Sequence, residues 1–219
     1  MKDVVIIGNT DYSKMLMDYL KDDGINTCAF AVNEPYIKEK YIFEIPVLPI
    51  EHLLENFNPT TTTLYMGIGY TKLGTIKKNL FDVCKSYGYS FENYIHKTAC
   101  IDSGAILGEG NVIFEGVTVQ KYTSIGNANL FFSNSTIMHN DNVGSYNTFG
   151  AGSVLNGFVN VGECNFIGAN ATLRNNISIG NLNLIGAGVY LNKRIENNTV
   201  VKLPTAIHIE GSMKFASRI

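Results

Sequence analysis

The sequence predicts an α/β domain over residues 1–96, followed by an all-β parallel β-helix over residues 97–219. Three observations lead to this division. Strand and helix signals alternate in the first part of the chain, an apolar residue recurs at every sixth position from Ile101 onward, and a finer glycine and asparagine pattern repeats every eighteen residues. A short fixed period that continues without insertion is the signature of a β-helix built from stacked coils.

The first part of the chain has a strand–helix–strand order. Short apolar runs predict strands at residues 4–7, 28–32 and 64–68, and apolar residues at helical spacing predict helices at 12–20 and 71–87. This order favours a small parallel sheet, whose ligands bind beyond the carboxyl ends of the strands. The loop from Gly8 to Ser13 is therefore a candidate ligand loop. It carries only the first glycine of a dinucleotide-binding fingerprint, and a tight turn without ligand explains it equally well.

The six-residue period predicts the core of the β-helix. Every residue reached by stepping six at a time from Ile101 is apolar: Ile101, Leu107, Ile113, Val119, Ile125, Phe131, Ile137, Val143, Phe149, Leu155, Val161, Ile167, Leu173, Ile179, Ile185 and Leu191. We expect these side chains to point into a prism and to stack on one another from coil to coil.

The eighteen-residue period shows that each coil consists of three hexads. One column consists of Gly108, Gly126, Gly144, Gly162 and Gly180, and another of Asn111, Asn129, Asn147, Asn165 and Asn183. Stacked asparagines can form a hydrogen-bonded ladder, and glycine tolerates left-handed or crowded corners, so both columns are explained by stability alone. A third column mixes residue types that do not stack on one another, and it is therefore the candidate for a functional site. Its members are Lys121, His139, Gly157, Asn175 and Lys193.

Composition excludes several classes of protein. With 45% hydrophobic residues and a formal net charge of -2, the chain is not basic enough to suggest a nucleic-acid partner. The first apolar run stops at Gly8, and no segment has the roughly 20 apolar residues needed to span a bilayer, so neither a secretion signal nor a membrane span is expected. The four cysteines lack any CxxC pair, which argues against a metal site or a disulfide framework and for the cytoplasm.

A two-part chain of this kind resembles the sugar acyltransferases that include the bacillosamine-pathway N-acetyltransferases and the sialic-acid O-acetyltransferases. The matching segments are VVIIG at the start, FEIPVLPIE from Phe43, MGIGYTKLG from Met66, YIHKTACI from Tyr94 and IMHNDNVG from Ile137. The resemblance implies a left-handed prism, a nucleotide-fold-like (Rossmann-like) first domain and an acetyl-CoA-dependent reaction. It also implies a homotrimer with three sites at the clefts between prisms.

The resemblance assigns roles to residues of the prism. His139 matches the general base in the motif V-x-H-[DE]-x-x-[IV]-G, but Asn140 replaces the acidic neighbour of that motif. Either Asn140 or Asp141 then orients the imidazole, and Asp141 is the preferred partner because an ionised carboxylate forms the stronger hydrogen bond. Gly157 corresponds to the glycine whose N–H faces the acyl carbonyl. Small residues along the pantetheine groove are Ala169 and Ala187.

The resemblance also implies a nucleotide at the first domain, in contact with Gly8, Asn9, Thr10, Gly69 and Tyr70. The implied reaction is N-acetylation of a nucleotide-linked amino sugar for surface-glycan (lipopolysaccharide) biosynthesis. Two alternatives stay open: O-acetylation of a sugar hydroxyl, and a β-helix that binds a sugar nucleotide without catalysis. Carbonic anhydrases on the same prism need three histidines around zinc, whereas His52, His96 and His208 lie outside the hexads, so no metal is expected.

Overall fold

The computed structural model describes residues 2–204, so His208 and the end of the expected second domain lie outside the described residues. The first domain is a six-stranded sheet with strand order β3-β4-β2-β1-β5-β6. All of its neighbouring strands are parallel except the hairpin β3-β4. The strands are β1 (Asp3–Ile7), β2 (Ala29–Val32), β3 (Tyr41–Ile42), β4 (Ile45–Pro49), β5 (Thr62–Met66) and β6 (Ser90–Phe91).

Helices α1 (Asp11–Asp22), α2 (Leu53–Asn56) and α3 (Thr75–Ser86) connect these strands. Short 3-10 helices occupy Glu34–Tyr36, Ile50–His52 and Thr71–Gly74. The helix expected from residue 71 therefore begins later, at Thr75. Lys72 and Leu73 have positive φ values, and a Cβ on Gly74 would collide with the carbonyl oxygen of Tyr146 in the prism. Close packing against the prism thus sets the start of α3.

The second domain is a parallel β-helix with three faces. The first face contains β7 (Tyr94–Ile95), β10 (Val112–Ile113), β13 (Leu130–Phe131), β16 (Thr148–Phe149), β19 (Phe166–Ile167), β22 (Leu184–Ile185) and β24 (Val200–Val201). The second face contains β8 (Cys100–Ile101), β11 (Thr118–Val119), β14 (Thr136–Ile137), β17 (Val154–Leu155), β20 (Thr172–Leu173) and β23 (Tyr190–Leu191). The third face contains β9 (Ile106–Leu107), β12 (Ser124–Ile125), β15 (Asn142–Val143), β18 (Asn160–Val161) and β21 (Ser178–Ile179).

The prism is filled as the six-residue period predicts. The apolar column points inward and forms one core cluster, in which the rings of Phe131 and Phe149 stack with centroids 4.7 Å apart. The asparagine ladder is also formed. The Oδ1 of each of the first four asparagines accepts the backbone N–H of the next one, for example from Asn129 to Asn111 at 2.9 Å and from Asn165 to Asn147 at 2.8 Å. The coil begins at β7, slightly before residue 97.

The glycine column and the left-handed corner residues are different sets. Glycines such as Gly144 have ordinary φ values, and a Cβ there would lie 2.6 Å from the carbonyl oxygen of Gly162 in the next coil. Crowding therefore explains this column. The left-handed backbone recurs at every sixth residue from Gly110 to Gly188, and most of these residues are not glycine. They include Tyr122, Asn140 and Phe158.

The first domain docks on the first face of the prism. Val112, Phe114 and Leu130 of that face share a core cluster with Leu16 and Leu20 of α1. Polar contacts mark both edges of this interface. The corner between the first and second faces holds Glu115, which accepts a hydrogen bond from Tyr19, and the corner between the third and first faces holds Glu109 and Glu163, which pair with Lys85 at 2.7 Å and with Lys78 at 3.1 Å.

Candidate active site

His139 lies at the corner between the second and third faces, in the turn that joins β14 to β15. We call this corner, with its column Lys121, His139, Gly157, Asn175 and Lys193, the histidine corner. The expected irregular column therefore runs along an edge of the prism and not across a face. His139 is exposed. Because the cross-section is a triangle, this corner is opposite the face that carries the first domain.

The imidazole of His139 is held by Asn140. Nδ1 lies 3.1 Å from Oδ1 of Asn140, and the ring meets the ring of Phe158 edge to face at 5.3 Å. When Nδ1 carries the proton, it donates a hydrogen bond to the Asn140 amide oxygen, and Nε2 has a free lone pair. The preference for Asp141 as the direct partner is therefore corrected. Asn140 has a φ of 62°. This left-handed turn keeps the Asn140 amide on the surface beside the imidazole, whereas the side chain of Asp141 points into the prism.

Asp141 is buried inside the corner. Its side chain is 1% exposed, and Oδ1 accepts the N–H of Val159 at 2.8 Å. Within residues 2–204 the second oxygen, Oδ2, has no hydrogen-bond partner. Desolvation raises the pKa of Asp141 to about 6, while the Val159 and Met138 amides and the charge of His139 act in the opposite direction. Asp141 thus ties the turn of His139 to the turn one coil later, where Gly157 lies.

Gly157 lies directly beneath the imidazole. A Cβ on Gly157 would be 3.0 Å from Cε1 and 3.2 Å from Nε2 of His139, so a larger residue would require the ring to shift by a few tenths of an ångström. The carbonyl of Gly157 accepts the Asn176 N–H at 3.2 Å, whereas its own N–H has no acceptor in the described part of the chain. A free backbone donor beside a basic ring nitrogen is the arrangement that stabilises an oxyanion during acyl transfer.

The loop after β1 is shaped by close backbone packing. Gly8 has a φ of 129°, and a Cβ there would lie 2.7 Å from the Gly67 carbonyl oxygen. Thr10 caps α1, and Ser13 accepts the Thr10 N–H at 3.0 Å and donates to the Gly67 carbonyl at 2.8 Å. Asn9 donates to the Tyr36 carbonyl at 2.9 Å. The side chains of this loop are thus largely used within the protein.

The loop after β5 borders the loop after β1, because β1 and β5 are neighbouring parallel strands. A Cβ on Gly69 would meet nothing within 4 Å, so this glycine leaves open space beside the strand ends. Tyr70 is 56% exposed, and its ring lies 5.1 Å from that of Phe166 on the first face of the prism. The expected nucleotide residues Gly8, Asn9, Thr10, Gly69 and Tyr70 are thus brought to one edge of the sheet.

Ala169 and Ala187 lie at the corner between the first and second faces, in the same column as Ala151. Gly168 and Gly186, which precede these alanines, allow successive coils to pack closely. A Cβ on Gly168 would lie 2.5 Å from the Ala187 nitrogen. This smooth edge is on the same side of the prism as Tyr70. The second face separates it from His139. A single chain therefore does not bring the Gly8 loop, the Gly69 loop and the alanine edge together with His139 and Gly157.

Sequence reasoning missed Gly67 and the two aromatic residues that flank the histidine corner, Tyr122 and Phe158. Gly67 had a detectable signal, because it follows an apolar strand directly. The aromatic residues had a weaker one: they stand eighteen residues before and after Asn140. In the part of the chain that the structure describes, no cluster of three metal-ligating side chains is present, and no helix is long and apolar enough to cross a membrane.

The solved structures that are similar to this chain include acetyltransferases. PerB from Caulobacter crescentus, solved in complex with CoA and GDP-perosamine, is 24% identical with a TM-score of 0.79, over 91% of this chain and 93% of that one. The acetyltransferase domain of PglB from Neisseria gonorrhoeae, solved with acetyl coenzyme A, is 18% identical with a TM-score of 0.79, over 91% and 95%. WeeI from Acinetobacter baumannii is 15% identical with a TM-score of 0.72, over 91% and 96%.

At these identities the similarity establishes the fold: both domains are matched, in the same order. No protein-family profile and no curated protein sequence matches the chain.

Proposed function

We propose that this protein transfers an acetyl group from acetyl-CoA to the amine of a nucleotide-linked amino sugar. The observation that carries the proposal is the pairing of His139 with Gly157: a ring nitrogen without a partner lies next to a backbone N–H without an acceptor. The solved structures of the same fold support the substrate class, since GDP-perosamine and CoA are bound to one of them and acetyl coenzyme A to another.

The residues of the histidine corner can divide the chemistry between them. As the amine attacks the thioester carbonyl, its proton passes to Nε2 of His139, and such general-base help contributes about 10² to 10⁴ in rate. The Gly157 N–H donates to the oxygen on which negative charge develops, which contributes about 10² to 10³. Asn140 fixes the ring tautomer. When the C–S bond breaks, the thiolate of CoA leaves and takes up a proton.

The first domain is proposed to hold the nucleotide. The Gly8 loop and the Gly69 loop lie where ligands of Rossmann-like sheets bind, at the carboxyl ends of adjacent parallel strands. Gly69 leaves room for close approach, and Tyr70 offers an exposed ring. Asp11 carries a negative charge near the start of α1, but it pairs with Lys14 at 3.2 Å. This pairing reduces its repulsion of a diphosphate.

One site then needs two copies of the chain. The nucleotide loops and the alanine edge with Ala169 and Ala187 lie on one side of the prism, and His139 lies on the opposite corner. In a homotrimer of left-handed prisms, as the resemblance implies, the histidine corner of one protomer would face the alanine edge of its neighbour. Each cleft would then hold acetyl-CoA and the acceptor. Surface-glycan biosynthesis is the process that uses such acetylated sugars.

The test is an acetyl-transfer assay with acetyl-CoA and a panel of acceptors, in which released CoA and the mass of the product are measured. The panel contains GDP-, UDP- and dTDP-linked amino sugars and the same nucleotides linked to sugars that carry only hydroxyls. We expect acetylation of an amino sugar only. Transfer to a hydroxyl sugar would favour O-acetylation. Tight binding of both substrates without CoA release would favour a non-catalytic protein.

A further inference from the structure

Two open depressions adjoin His139, one on each side of its ring. The smaller, of about 350 Å³, runs toward later coils past Asn156, Gly157 and Phe158. The larger, of about 560 Å³, runs toward earlier coils along the second face and the histidine corner. We call it the acceptor groove, and it is lined by Cys100, Asp102, Thr118, Gln120, Lys121 and Tyr122.

The chemistry at His139 decides what each depression can hold. The thioester oxygen must reach the free N–H of Gly157, which lies in the smaller depression. The attacking amine must reach Nε2 of His139 and add to the carbonyl carbon from above the plane of the thioester. Because the thioester then occupies the smaller depression, the body of the acceptor extends to the other side of the imidazole, and that side is the acceptor groove.

The geometry points to the acceptor groove as the binding subsite for the sugar ring of the acceptor, with Tyr122, Gln120 and Asp102 as residues that determine which sugar is used. This inference rests on the proposed acetyl transfer. Gln120 and Lys121 provide hydrogen-bond donors for sugar hydroxyls, and Asp102 provides an acceptor. One oxygen of Asp102 already accepts the Gly104 N–H at 2.9 Å, which fixes the carboxylate and leaves its second oxygen for a ligand.

Tyr122 is the most informative member of the groove. It is 72% exposed and has a φ of 63°, a left-handed conformation that costs a bulky residue about 1–2 kcal/mol. Tyr146, at an equivalent corner position, is 5% exposed and packs on Phe81, and Phe158 packs on His139. Tyr122 has no aromatic or hydrogen-bonding partner among residues 2–204. The coil imposes the left-handed turn at every such corner, but packing within the chain does not account for a large exposed ring at this one, whereas a sugar whose apolar face rests on the ring does.

The experiment compares Tyr122→Asn with the unmodified protein in steady-state kinetics, with GDP-perosamine and acetyl-CoA varied in turn. Asparagine already occupies the left-handed positions at Asn134, Asn140, Asn170 and Asn176, so the variant keeps a backbone-compatible residue and loses only the ring. The matched control is Leu182→Asn, at a left-handed position of another corner that is 39% exposed. Gln120→Ala provides an independent variant outside the left-handed turn.

We expect Tyr122→Asn and Gln120→Ala to lower kcat/KM for the amino-sugar nucleotide about tenfold each, the effect of losing one buried ring face or one well-made polar contact. The KM for acetyl-CoA and the affinity for GDP alone should stay within twofold of the unmodified values, and Leu182→Asn should be silent. An unchanged acceptor kcat/KM in both variants would overturn the inference, as would a selective rise in the KM for acetyl-CoA. If the unmodified protein acetylates no amino-sugar nucleotide, the proposed function itself fails.

Discussion

Replacing Lys77 by methionine tests whether a lysine buried between the two domains is uncharged at neutral pH. Lys77 lies on α3, its side chain is 1% exposed, and Nζ donates to the carbonyl oxygen of Asn147 at 3.2 Å. No carboxylate pairs with it in the described residues. Desolvation lowers the pKa of Lys77 from 10.5 to about 7, and the nearby Cys164 acts weakly in the opposite direction.

The pKa difference fixes the sign and size of a pH effect on stability. Between about pH 7 and pH 10.5 the unfolded chain keeps the Lys77 proton and the folded chain does not, so unfolding takes up a proton and the free energy of unfolding rises with pH. The gap from 10.5 to about 7 corresponds to about 5 kcal/mol in total. Over the two pH units from 7 to 9 the expected rise is about 2–3 kcal/mol.

The assay is denaturant unfolding at pH 7, 8 and 9 for the unmodified protein, Lys77→Met and the control Lys78→Met. Methionine fills a similar volume without a charge, so Lys77→Met should lack the rise and should be the more stable protein at pH 7. Lys78 is partly exposed, and its hydrogen bond to Glu163 raises its pKa, so its removal should leave the slope intact. Parallel pH dependences for the unmodified protein and Lys77→Met would contradict an uncharged Lys77 in the folded protein.

Three further predictions concern the site and its assembly. Asp141→Asn should keep the bond to the Val159 N–H and leave turnover nearly unchanged, whereas Asn140→Ala should slow it, as pH–rate profiles would show. Since burial raises the pKa of Asp141 to about 6, Asp141→Asn should also lack the loss of stability that the unmodified protein suffers as pH rises from about 4 to above 6. Gly69→Glu should fold normally, because the space around Gly69 is open, but should weaken nucleotide binding in calorimetry by charge repulsion. Sedimentation should give a trimer, and a stable monomer that is fully active would contradict the two-copy site.

The β-helix was predictable because an apolar residue at the same position of every hexad identifies the side chain that points into the prism. Every member of the apolar column from Ile101 to Leu191 belongs to the prism core or packs against it. The asparagine ladder followed from the same period. The left-handed corner positions were not predictable, since residues such as Tyr122 and Phe158 disfavour that conformation in isolation and adopt it because the coil closes around them.

The sequence names candidate residues for the site but not their arrangement in space. The sequence does not encode on which face of the prism the first domain docks, so the separation of His139 from Gly69 and Tyr70 emerged only from the fold. Near a left-handed turn, strand alternation no longer gives the side-chain direction, so the preference for Asp141 over Asn140 depended only on the stronger hydrogen bond that a carboxylate forms. Lys77 had an overlooked signal: it lies three and four residues before Leu80 and Phe81, on the buried side of α3.

The most direct test compares acetyl transfer from acetyl-CoA to the amino-sugar nucleotide that the acceptor panel identifies, for the unmodified protein, His139→Ala and the surface control His52→Ala, with acetyl-CoA affinity measured in parallel. We expect turnover by the unmodified protein and by His52→Ala, and a loss of about 10² or more in His139→Ala at nearly unchanged acetyl-CoA affinity, because a base acts in the transition state. Turnover by His139→Ala at the unmodified rate would contradict the assignment of His139 as the base.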